Sequence, residues 1–483
     1  MSLVEKIDNV IAFFSPSIAL KRYEARQAFK EARKRRYEGA QINKNDPNYL
    51  PSVYDADNDI LRDLPRLRAR SRDMIQNNPW AVSVLNQLIG NIVGETGHIP
   101  RCPGNQKFEI WLKETLEEVG EKGLDITEEQ DFSELEALAL WQFIESGEAF
   151  IKFVYSGEKR LKIQFYEPDQ IYSYRQELGE NEIRAGIEIE KNTGRHVSYF
   201  INDHPGAYRN YYTITNEIRV LRQDMLHLFV KTRPGQTRGV PKLAPVILSL
   251  RDMKEYKDTT MVAARVAACL ALIIQKDNHS AFQLDANNDP VREIYPGMVV
   301  RLKPGESAST INPNQPSGQF TNVMNFGSRS VAAGTGMSYE SVSRDYSQVN
   351  YSSGRLSKLD ERTSYRMIQS FLAKHFCKRI SYEIQRLRLL LGEQRKFVTV
   401  KWLPKGFEWV DPIKEIEADI LEVENNFTTK AAKIAERGGD YEDIIYQRAL
   451  EIQKEKELGI TPVKGISNGE KPATNIDQGG ASV

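Results

Sequence analysis

The fold class follows from residues 149–166, AFIKFVYSGEKRLKIQFY. Apolar residues recur at every second position through 149–155 and again through 161–166, and this period of two is typical of half-buried strands. Between the two runs, Ser-Gly-Glu at 156–158 has the composition of a turn. We therefore predict an antiparallel β-hairpin here.

Further strand-like segments follow the hairpin. Residues 183–190 and 195–201, joined through Asn-Thr-Gly at 192–194, predict a second pair of strands, and 217–220 and 226–230 predict two more. We expect all of these strands to form one antiparallel sheet.

Helical patterns precede the hairpin. Apolar residues recur with the helical period over 61–94, with a break at Asn78-Pro79, and again over 108–119 and 132–146. Helices followed by an antiparallel sheet predict an α+β fold.

Downstream, residues 241–275 predict one long helix that is dense in alanine (Ala263, Ala264, Ala267, Ala268 and Ala271). Small side chains of this kind let neighbouring helices approach closely. Residues 278–318 are punctuated by Pro, Gly and Asn and contain one strand-like run at 298–302, so they read as a small insertion before a second helix at 319–333.

The rest of the chain is predicted to be mainly helical. Gly-Thr-Gly at 334–336 ends the second helix, and a Ser-, Tyr- and Asn-rich stretch leads to residue 353. A long helix at 355–391, a strand at 397–402, charged helices within 413–458 and a disordered tail from 461 are expected to follow.

Composition excludes several classes of protein. The chain has 483 residues, more than a single hydrophobic core usually holds, so two or more domains or an assembling subunit are expected. Lys+Arg and Asp+Glu both number 66, which excludes a histone-like polycation. The three cysteines, Cys102, Cys269 and Cys377, lie too far apart to indicate a disulfide framework or a zinc finger.

The N-terminal segment has a basic character of its own. Residues 1–20 lack the pattern of a signal peptide and are interpreted as a partner-binding arm, and residues 21–38 hold eight Lys or Arg in a helix-compatible sequence. A solvated surface helix and a contact with phosphate or an acidic protein both remain open. The apolar run at 261–274 is interrupted by Arg265 and is too short to cross a bilayer.

Motifs of catalysis are missing from the sequence. It contains no G-x-x-x-x-G-K-[ST] phosphate loop, no G-x-S-x-G elbow and no His pair at metal-binding spacing. Asp55, Asp57 and Asp59 alternate like the start of a calcium loop, but Ile60 stands where that loop needs glycine. We therefore expect neither an enzyme nor a metal or cofactor site.

Several motifs in order resemble one known family. They are RARSRD at 68–73, NNP at 77–79, His227 with RPGQTRGVP at 233–241, YPG at 295–297, LKPGE at 302–306, GMSYE at 336–340, Asp345, NYSS at 350–353, Arg355, Trp402, WVDP at 409–412 and KE at 414–415. Together they resemble the lambda-type portal proteins of tailed bacteriophages, over about residues 61–418.

The resemblance implies a mainly helical α+β portal fold and a ring, usually dodecameric, at one vertex of the capsid. Double-stranded DNA passes through such a ring without sequence recognition, driven in by a separate terminase and later released through the same channel. The implied partners are copies of the chain, the terminase large subunit, the major capsid or scaffold protein, a head-tail connector and DNA. The implied location is the virion, after assembly in the host cytoplasm, with no membrane contact.

The resemblance also divides the chain. The expected regions are an arm with the basic helix (1–60), a wing of helices and antiparallel sheet (61–239), a stem helix (240–275), a small α/β clip (276–317), a second stem helix (318–335), a tunnel loop (336–353), a long channel helix (354–392), a wing return strand (393–412), a short helical crown (413–460) and a disordered tail (461–483).

Candidate site residues fall into three groups. The tunnel loop would contact DNA through mostly neutral side chains (Ser343, Arg344, Asp345, Ser347, Gln348, Asn350, Ser352 and Ser353). The clip would present Arg292, Arg301 and Lys303 to the terminase or connector, and Ala264, Ala267 and Ala268 would pack the stem. Arg238 reads equally as an intersubunit ion pair or a DNA contact, and Arg355 as a helix cap or an intersubunit partner.

Two other functions remain open. A DNA-processing enzyme or terminase-like component would require a nucleotide or metal site, for which the sequence has no motif. A passive scaffold or adaptor of the virion would lack a channel. An ATPase assay separates the first from a portal, and images of the particles separate the second.

Overall fold

The computed structural model describes residues 54–155, 160–202, 217–268, 272–276, 306–310, 319–407, 412–439 and 441–459. The predicted basic helix at 21–38, the strand at 298–302, the clip residues Arg292, Arg301 and Lys303, and the tail from 461 lie outside the described residues.

Helices and short strands alternate along the chain. The helices are α1 (Ala56–Ile60), α2 (Leu64–Asn77), α3 (Pro79–Ile92), α4 (Gln106–Glu117), α5 (Phe132–Ser146), α6 (Ile247–Ala268), α7 (Phe320–Thr335), α8 (Tyr339–Ser343), α9 (Tyr351–Leu372), α10 (Lys378–Leu390), α11 (Pro412–Glu424), α12 (Lys430–Glu436) and α13 (Tyr441–Glu457). The strands are β1 (Ile99–Arg101), β2 (Glu148–Tyr155), β3 (Leu161–Tyr166), β4 (Glu177–Leu178), β5 (Asn181–Arg184), β6 (Ile187–Ile189), β7 (His196–Asn202), β8 (Glu217–Leu221), β9 (Met225–Phe229), β10 (Leu272–Lys276), β11 (Glu306–Thr310) and β12 (Lys401–Leu403).

The predicted break at Asn78-Pro79 is confirmed. Pro79 is the first residue of α3, where its missing N–H costs no hydrogen bond. The Asn78 side chain accepts hydrogen bonds from the backbone N–H groups of Trp80 and Ala81. Its amide nitrogen also donates to the carbonyl of Leu250, 2.9 Å away, so one residue ends α2, caps α3 and contacts α6.

The predicted hairpin at 149–166 is also confirmed. β2 pairs with β3 in antiparallel register, with Phe150 opposite Tyr166. α5 ends at Gly147, whose φ of 86° is in the left-handed region. A Cβ on Gly147 would lie 2.2 Å from the Val240 carbonyl carbon, and one on Gly239 would lie 2.0 Å from the Gly147 carbonyl oxygen. The start of the hairpin therefore lies directly against the chain that leads to α6.

The prediction of one antiparallel sheet is wrong. In the described residues the strands of the predicted wing form a three-stranded sheet in the order β3-β2-β9 and a five-stranded sheet in the order β4-β5-β6-β7-β8. The predicted strand at 183–190 is in fact β5 and β6, because Ala185 and Gly186 have φ values of 46° and 79° and reverse the chain. Both sheets are antiparallel, so the α+β class stands.

The predicted helix at 241–275 is too long at both ends. α6 spans only Ile247–Ala268, after a 3₁₀ turn at Ala244–Val246. Beyond it, β10 pairs with β11 in antiparallel register. The alanines favour a helix, but Leu272, Ile273 and Ile274 are bulky residues that suit strand pairing, and this pairing prevails.

α6 and α7 pack against each other, as expected for paired stem helices. Tyr256 stacks on Phe320 with ring centroids 5.7 Å apart. Close approach depends on two glycines of α7, since a Cβ on Gly327 would lie 2.6 Å from Met253 Cγ and one on Gly334 would lie 2.3 Å from Val246 Cγ1.

The long C-terminal helix begins earlier than predicted. α9 starts at Tyr351 rather than Arg355, because Asn350 and Ser353 form a reciprocal capping box. A π-helical segment at Ala373–Cys377 joins α9 to α10. The predicted strand at 397–402 is reduced to β12, which pairs with β1.

The main core lies among α2 to α6, the β2–β3 hairpin, α7, α9 and α10, and Phe132 stacks on Phe376 inside it. In contrast, α11 and α12 contain no buried residue. Within the described ranges no helix is long and apolar enough to cross a membrane.

Candidate functional site

Two of the motifs that carry the resemblance meet at Glu148, a buried residue at the start of β2. From the 68–73 motif, the Arg68 guanidinium forms an ion pair with its carboxylate. From the 233–241 motif, Arg238 Nε lies 2.8 Å from Oε1, and the Gly239 backbone N–H donates to Oε2 at 2.9 Å. His227 Nε2 lies 2.9 Å from the same Oε2.

The charges in this cluster are held by their neighbours. Burial alone would raise the pKa of Glu148, but Arg238 and Arg68, with His227, hold it well below its usual range. Burial lowers the pKa of His227, and Glu148 offsets only part of that shift, so the imidazole is neutral. Arg68 and Arg72 share Asp169 as a second carboxylate partner.

Arg238 therefore has neither of its predicted roles. Its side chain is 3% exposed, and its guanidinium donates to the carbonyls of Pro168, Ile171 and Ala185. Both the expected intersubunit ion pair and the expected DNA contact require an accessible guanidinium. The residue instead joins β2, both wing sheets and the approach to α6 within one chain.

The predicted tunnel loop is an anchored segment with a short helix inside it. Gly336, with φ of 76°, ends α7, and the buried side chains of Met337 and Val342 attach the segment to the core. Ser338 caps α8, and its backbone N–H donates to Oε1 of the buried Glu361 on α9 at 2.7 Å. After Gly336, the exposed residues of this segment begin at Arg344, directly after α8.

Two oppositely charged residues, Arg344 and Asp345, follow α8. Arg344 is exposed and ends α8 with φ of 59°. With its amide oriented for hydrogen bonding, Gln87 of α3 accepts from Arg344 Nη1 at 2.9 Å. Hydrogen bonds from the Ser347 side chain and backbone and from the Tyr339 hydroxyl lower the pKa of Asp345, so the carboxylate of this residue, which follows Arg344 in sequence, is ionised.

The other predicted tunnel residues differ in how freely they can act. Ser343 donates to the Tyr339 carbonyl, and Asn350 and Ser353 are occupied in the cap of α9. Ser347, Gln348 and Ser352 are exposed, and Tyr346 beside them is 52% exposed. Arg355 forms an ion pair with Glu415, at 3.8 Å, so its partner lies in the same chain.

The structure describes only part of the predicted stem contact. Ala264 is half-buried on α6, and Ala267 and Ala268 lie in the last turn of that helix. The three clip residues are outside the described residues, so the structure brings together the tunnel group alone among the three predicted groups.

The family model for phage portal protein, lambda family, matches residues 44–369, more than half of the sequence. The chain belongs to the lambda family of phage portal proteins. Within this family, portal protein B of Escherichia phage lambda is 24% identical, covering 86% of this chain and 88% of the relative. The portal protein of Escherichia phage N15 is 23% identical, covering 89% and 93%.

The solved structures that the chain matches include a particle neck and a portal protein. A chain from the neck of an empty gene transfer agent particle has a TM-score of 0.47 and 14% identity, covering 76% of this chain and 93% of that one. An HK97-family phage portal protein from Corynebacterium diphtheriae has a TM-score of 0.36 and 11% identity, covering 71% and 95%. The match to the lambda portal family, together with the helices and antiparallel sheets of the chain, confirms the α+β portal fold inferred from the sequence.

Several residues of the candidate site were missed by sequence reasoning. Glu361 and Gln87 contact the tunnel segment from α9 and α3, and nothing in their local sequence indicates it. The glycines at 327 and 334 did carry a signal, because glycine inside a helical pattern often marks a close contact.

Proposed function

We propose that copies of this chain form a ring-shaped channel at one vertex of a phage capsid. Double-stranded DNA enters through it during packaging and leaves through it later, and the ring also provides the docking surface for the terminase and the head-tail connector. The observation that carries the proposal is the match to the lambda portal family over residues 44–369.

The charge balance of the tunnel segment supports a role in guiding DNA. A duplex carries one negative charge per ~1.7 Å of its axis, and each cationic contact adds affinity that resists movement. In this segment the one exposed arginine, Arg344, is followed in sequence by the ionised Asp345, and the exposed side chains that come next are neutral. A ring of such segments contacts phosphates weakly and without sequence selection, so the duplex can slide.

Exposed apolar side chains support assembly with further copies. On the stem helices, Phe326 is 76% exposed, Val262 56% and Leu248 55%. Near the C-terminus, Phe427 is 84% and Ile413 71% exposed. Large apolar groups left in solvent by one chain are typical of surfaces that a partner covers. We assign the first group to contacts between neighbouring stems and the second to a crown of C-terminal helices.

In this proposal the portal supplies no energy or bond chemistry. A separate terminase large subunit hydrolyses ATP and drives the duplex, while the portal provides the path. The protein assembles in the host cytoplasm with the major capsid or scaffold protein, and remains in the virion.

Electron microscopy of the purified chain tests the proposal. We expect closed rings, with twelve subunits, around a central hole wide enough for a duplex, and no ATP hydrolysis by the purified rings. Monomers that never close into rings at high concentration, or nucleotide hydrolysis by the chain alone, would contradict the proposal.

A further inference from the structure

Three buried side chains from distant parts of the sequence meet within the main core. His98 immediately precedes β1, Glu136 lies on α5, and Cys377 ends the π-helical segment. His98 is 2% exposed, and Glu136 and Cys377 are 0% exposed. One nitrogen, oxygen and sulfur atom from these residues all lie within 4.8 Å of one another.

The hydrogen bonds of His98 determine where its protons must be. Nε2 lies 3.1 Å from the Gln369 carbonyl oxygen, which can only accept, so Nε2 carries a proton. Nδ1 contacts Oε1 of Glu136, which is also an acceptor, and the Cys377 thiol is directed at the same oxygen from 3.9 Å. A cation must therefore lie between Nδ1 and the carboxylate, either a proton or a metal ion.

Glu136 differs from the other buried glutamates. Within the described residues no lysine or arginine forms an ion pair with it. The remaining buried glutamates each have such a partner (Glu109 with Arg101, Glu148 with Arg68, Glu188 with Arg219, Glu361 with Lys358 and Glu383 with Arg379). A buried carboxylate without a cationic side chain is costly unless another cation compensates its charge.

The backbone at Gly97 and His98 packs closely against the Glu136 carboxylate. Gly97 has φ of 62°, and a Cβ there would lie 2.8 Å from Glu136 Oε2. This close approach lets the His98 backbone N–H donate to Oε2 at 2.9 Å. The His98 ring is held by the Gln369 carbonyl in the way that metal-binding histidines are usually held by a neighbouring acceptor.

We propose that His98 Nδ1, the Glu136 carboxylate and Cys377 Sγ bind one Zn²⁺ ion. Nitrogen, oxygen and thiolate sulfur are the donors that zinc takes, and three protein ligands with a water or a second carboxylate oxygen complete a four-coordinate site. The ion replaces the proton between Nδ1 and Oε1 and displaces the thiol proton, and both protons pass to solvent. Zn²⁺ with one carboxylate and one thiolate is electrically neutral, as a buried site requires.

Such an ion would connect three elements of the core at one point: the start of β1, α5 and the junction of α9 with α10. π-Helical turns occur frequently at functional sites, and this one places Cys377 in the cluster. No metal site was expected from the sequence, because His98 and Cys377 lie 38 and 241 residues from Glu136 and no local spacing indicates such ligands.

Cobalt provides a direct test on the full-length protein, because Co²⁺ occupies zinc sites and its bond to a thiolate absorbs in the near ultraviolet. We expect the wild-type chain to take up about one Co²⁺ with this absorption band, and Zn²⁺ to displace it. Cys377→Ser should abolish the band. Cys102→Ser, which changes another buried cysteine that contacts Glu109, should keep it. Absence of the band in the wild type, or its persistence in Cys377→Ser, would overturn the proposal.

A second measurement does not depend on any variant. The midpoint of thermal unfolding is measured for the metal-free wild-type chain. It is then measured after addition of Zn²⁺, of Mg²⁺, or of Zn²⁺ followed by a chelator. A ligand that binds only the folded chain raises its midpoint. Zn²⁺ should raise the midpoint, Mg²⁺ should leave it unchanged, and the chelator should reverse the shift. An equal midpoint with and without Zn²⁺ would refute the site.

Discussion

Arg238 Nε lies 2.8 Å from Glu148 Oε1, and both side chains are buried. The pair joins the residue that begins the wing hairpin to the segment that leads into α6. Because Arg68 meets the same carboxylate, two sequence motifs characteristic of the portal resemblance form part of the wing's internal structure. These motifs therefore indicate the family through its fold rather than through its contacts with DNA.

Replacing Arg238 with lysine should destabilise the wing strongly. Lysine keeps the charge but cannot donate in the planar fork that serves Glu148 and three carbonyl groups at once. We expect a loss of roughly 3 kcal/mol in the free energy of unfolding, measured by urea denaturation.

The matched control is Arg233→Lys, at an exposed arginine five residues earlier in the same motif. An exposed ion pair contributes about 0–1 kcal/mol, so this change should have a small effect. If the two substitutions destabilise the protein equally, the buried cluster around Glu148 is not the source of the stability.

Two histidines beside this cluster should make the fold sensitive to acid. Burial lowers the pKa of His196 to about 3, and burial lowers the pKa of His227 as well. In the unfolded chain both take up a proton near pH 6.5. Their contribution to stability is therefore complete above that pH and is lost as the pH falls, by about 1.4 kcal/mol per pH unit for each histidine.

His196→Phe isolates one of these two contributions, because it keeps an aromatic ring against Phe229 and removes the titrating group. Between pH 7 and pH 5 the free energy of unfolding of the wild type should fall by about 2 kcal/mol more than that of the variant, measured by urea denaturation at each pH. Identical pH profiles would show that His196 titrates normally in the folded chain.

The packing of α7 against α6 and the 3₁₀ turn before it depends more on one glycine of α7 than on the other. Gly334→Ala would place a Cβ against Val246, a stiff and buried side chain, and should lower the free energy of unfolding by about 1–3 kcal/mol. Gly327→Ala meets the flexible Met253 and should cost less. Gly90→Ala on α3 has no atom within 4 Å of the new Cβ and should stabilise the chain by about 0.5–1 kcal/mol. An equal effect at all three glycines would contradict the close packing of α6 on α7.

Local patterns predicted the hairpin, the break at Asn78-Pro79 and most helices, because each depends on residues close in sequence. Which strands pair with each other does not depend on residues close in sequence. The division of the predicted wing into two sheets was therefore missed. The turn at Ala185-Gly186 interrupts a run whose apolar pattern continues across it. At Leu272–Lys276, pairing with Glu306–Thr310 decides the conformation, although the alanines before it favour a helix.

The candidate site was predicted in position more than in detail. Ser- and Asn-rich sequence identified the tunnel segment, but it did not show that Met337 and Val342 are buried or that Ser353 is a helix cap. Arg238 was interpreted as an accessible cation because charge is visible in a sequence, whereas the buried carboxylate that binds it lies 90 residues away.

Phe326 tests the assembly of the ring separately from the folding of the chain. Its side chain is 76% exposed on α7 and adds little to the core of one subunit. Phe326→Ser should leave thermal unfolding of the monomer unchanged and reduce the fraction of closed rings in electron micrographs, because burial of an aromatic ring by a neighbour is lost. A variant that assembles like the wild type would place the contact between stems elsewhere.

The exposed part of the tunnel segment can be changed without disturbing its anchors. Removing 337–353 entirely would delete Met337 and Val342 from the core, so we instead replace Tyr346, Ser347 and Gln348 with glycine. The backbone N–H of residue 347 remains available to Asp345, so the turn can persist. Rings should form normally, while packaging or retention of DNA in assembled capsids should fall. Val342→Ala serves as the contrasting variant and should cost about 2 kcal/mol of stability through a core cavity. Normal DNA packaging and retention in rings that carry the triple glycine change would exclude 346–348 from the DNA path.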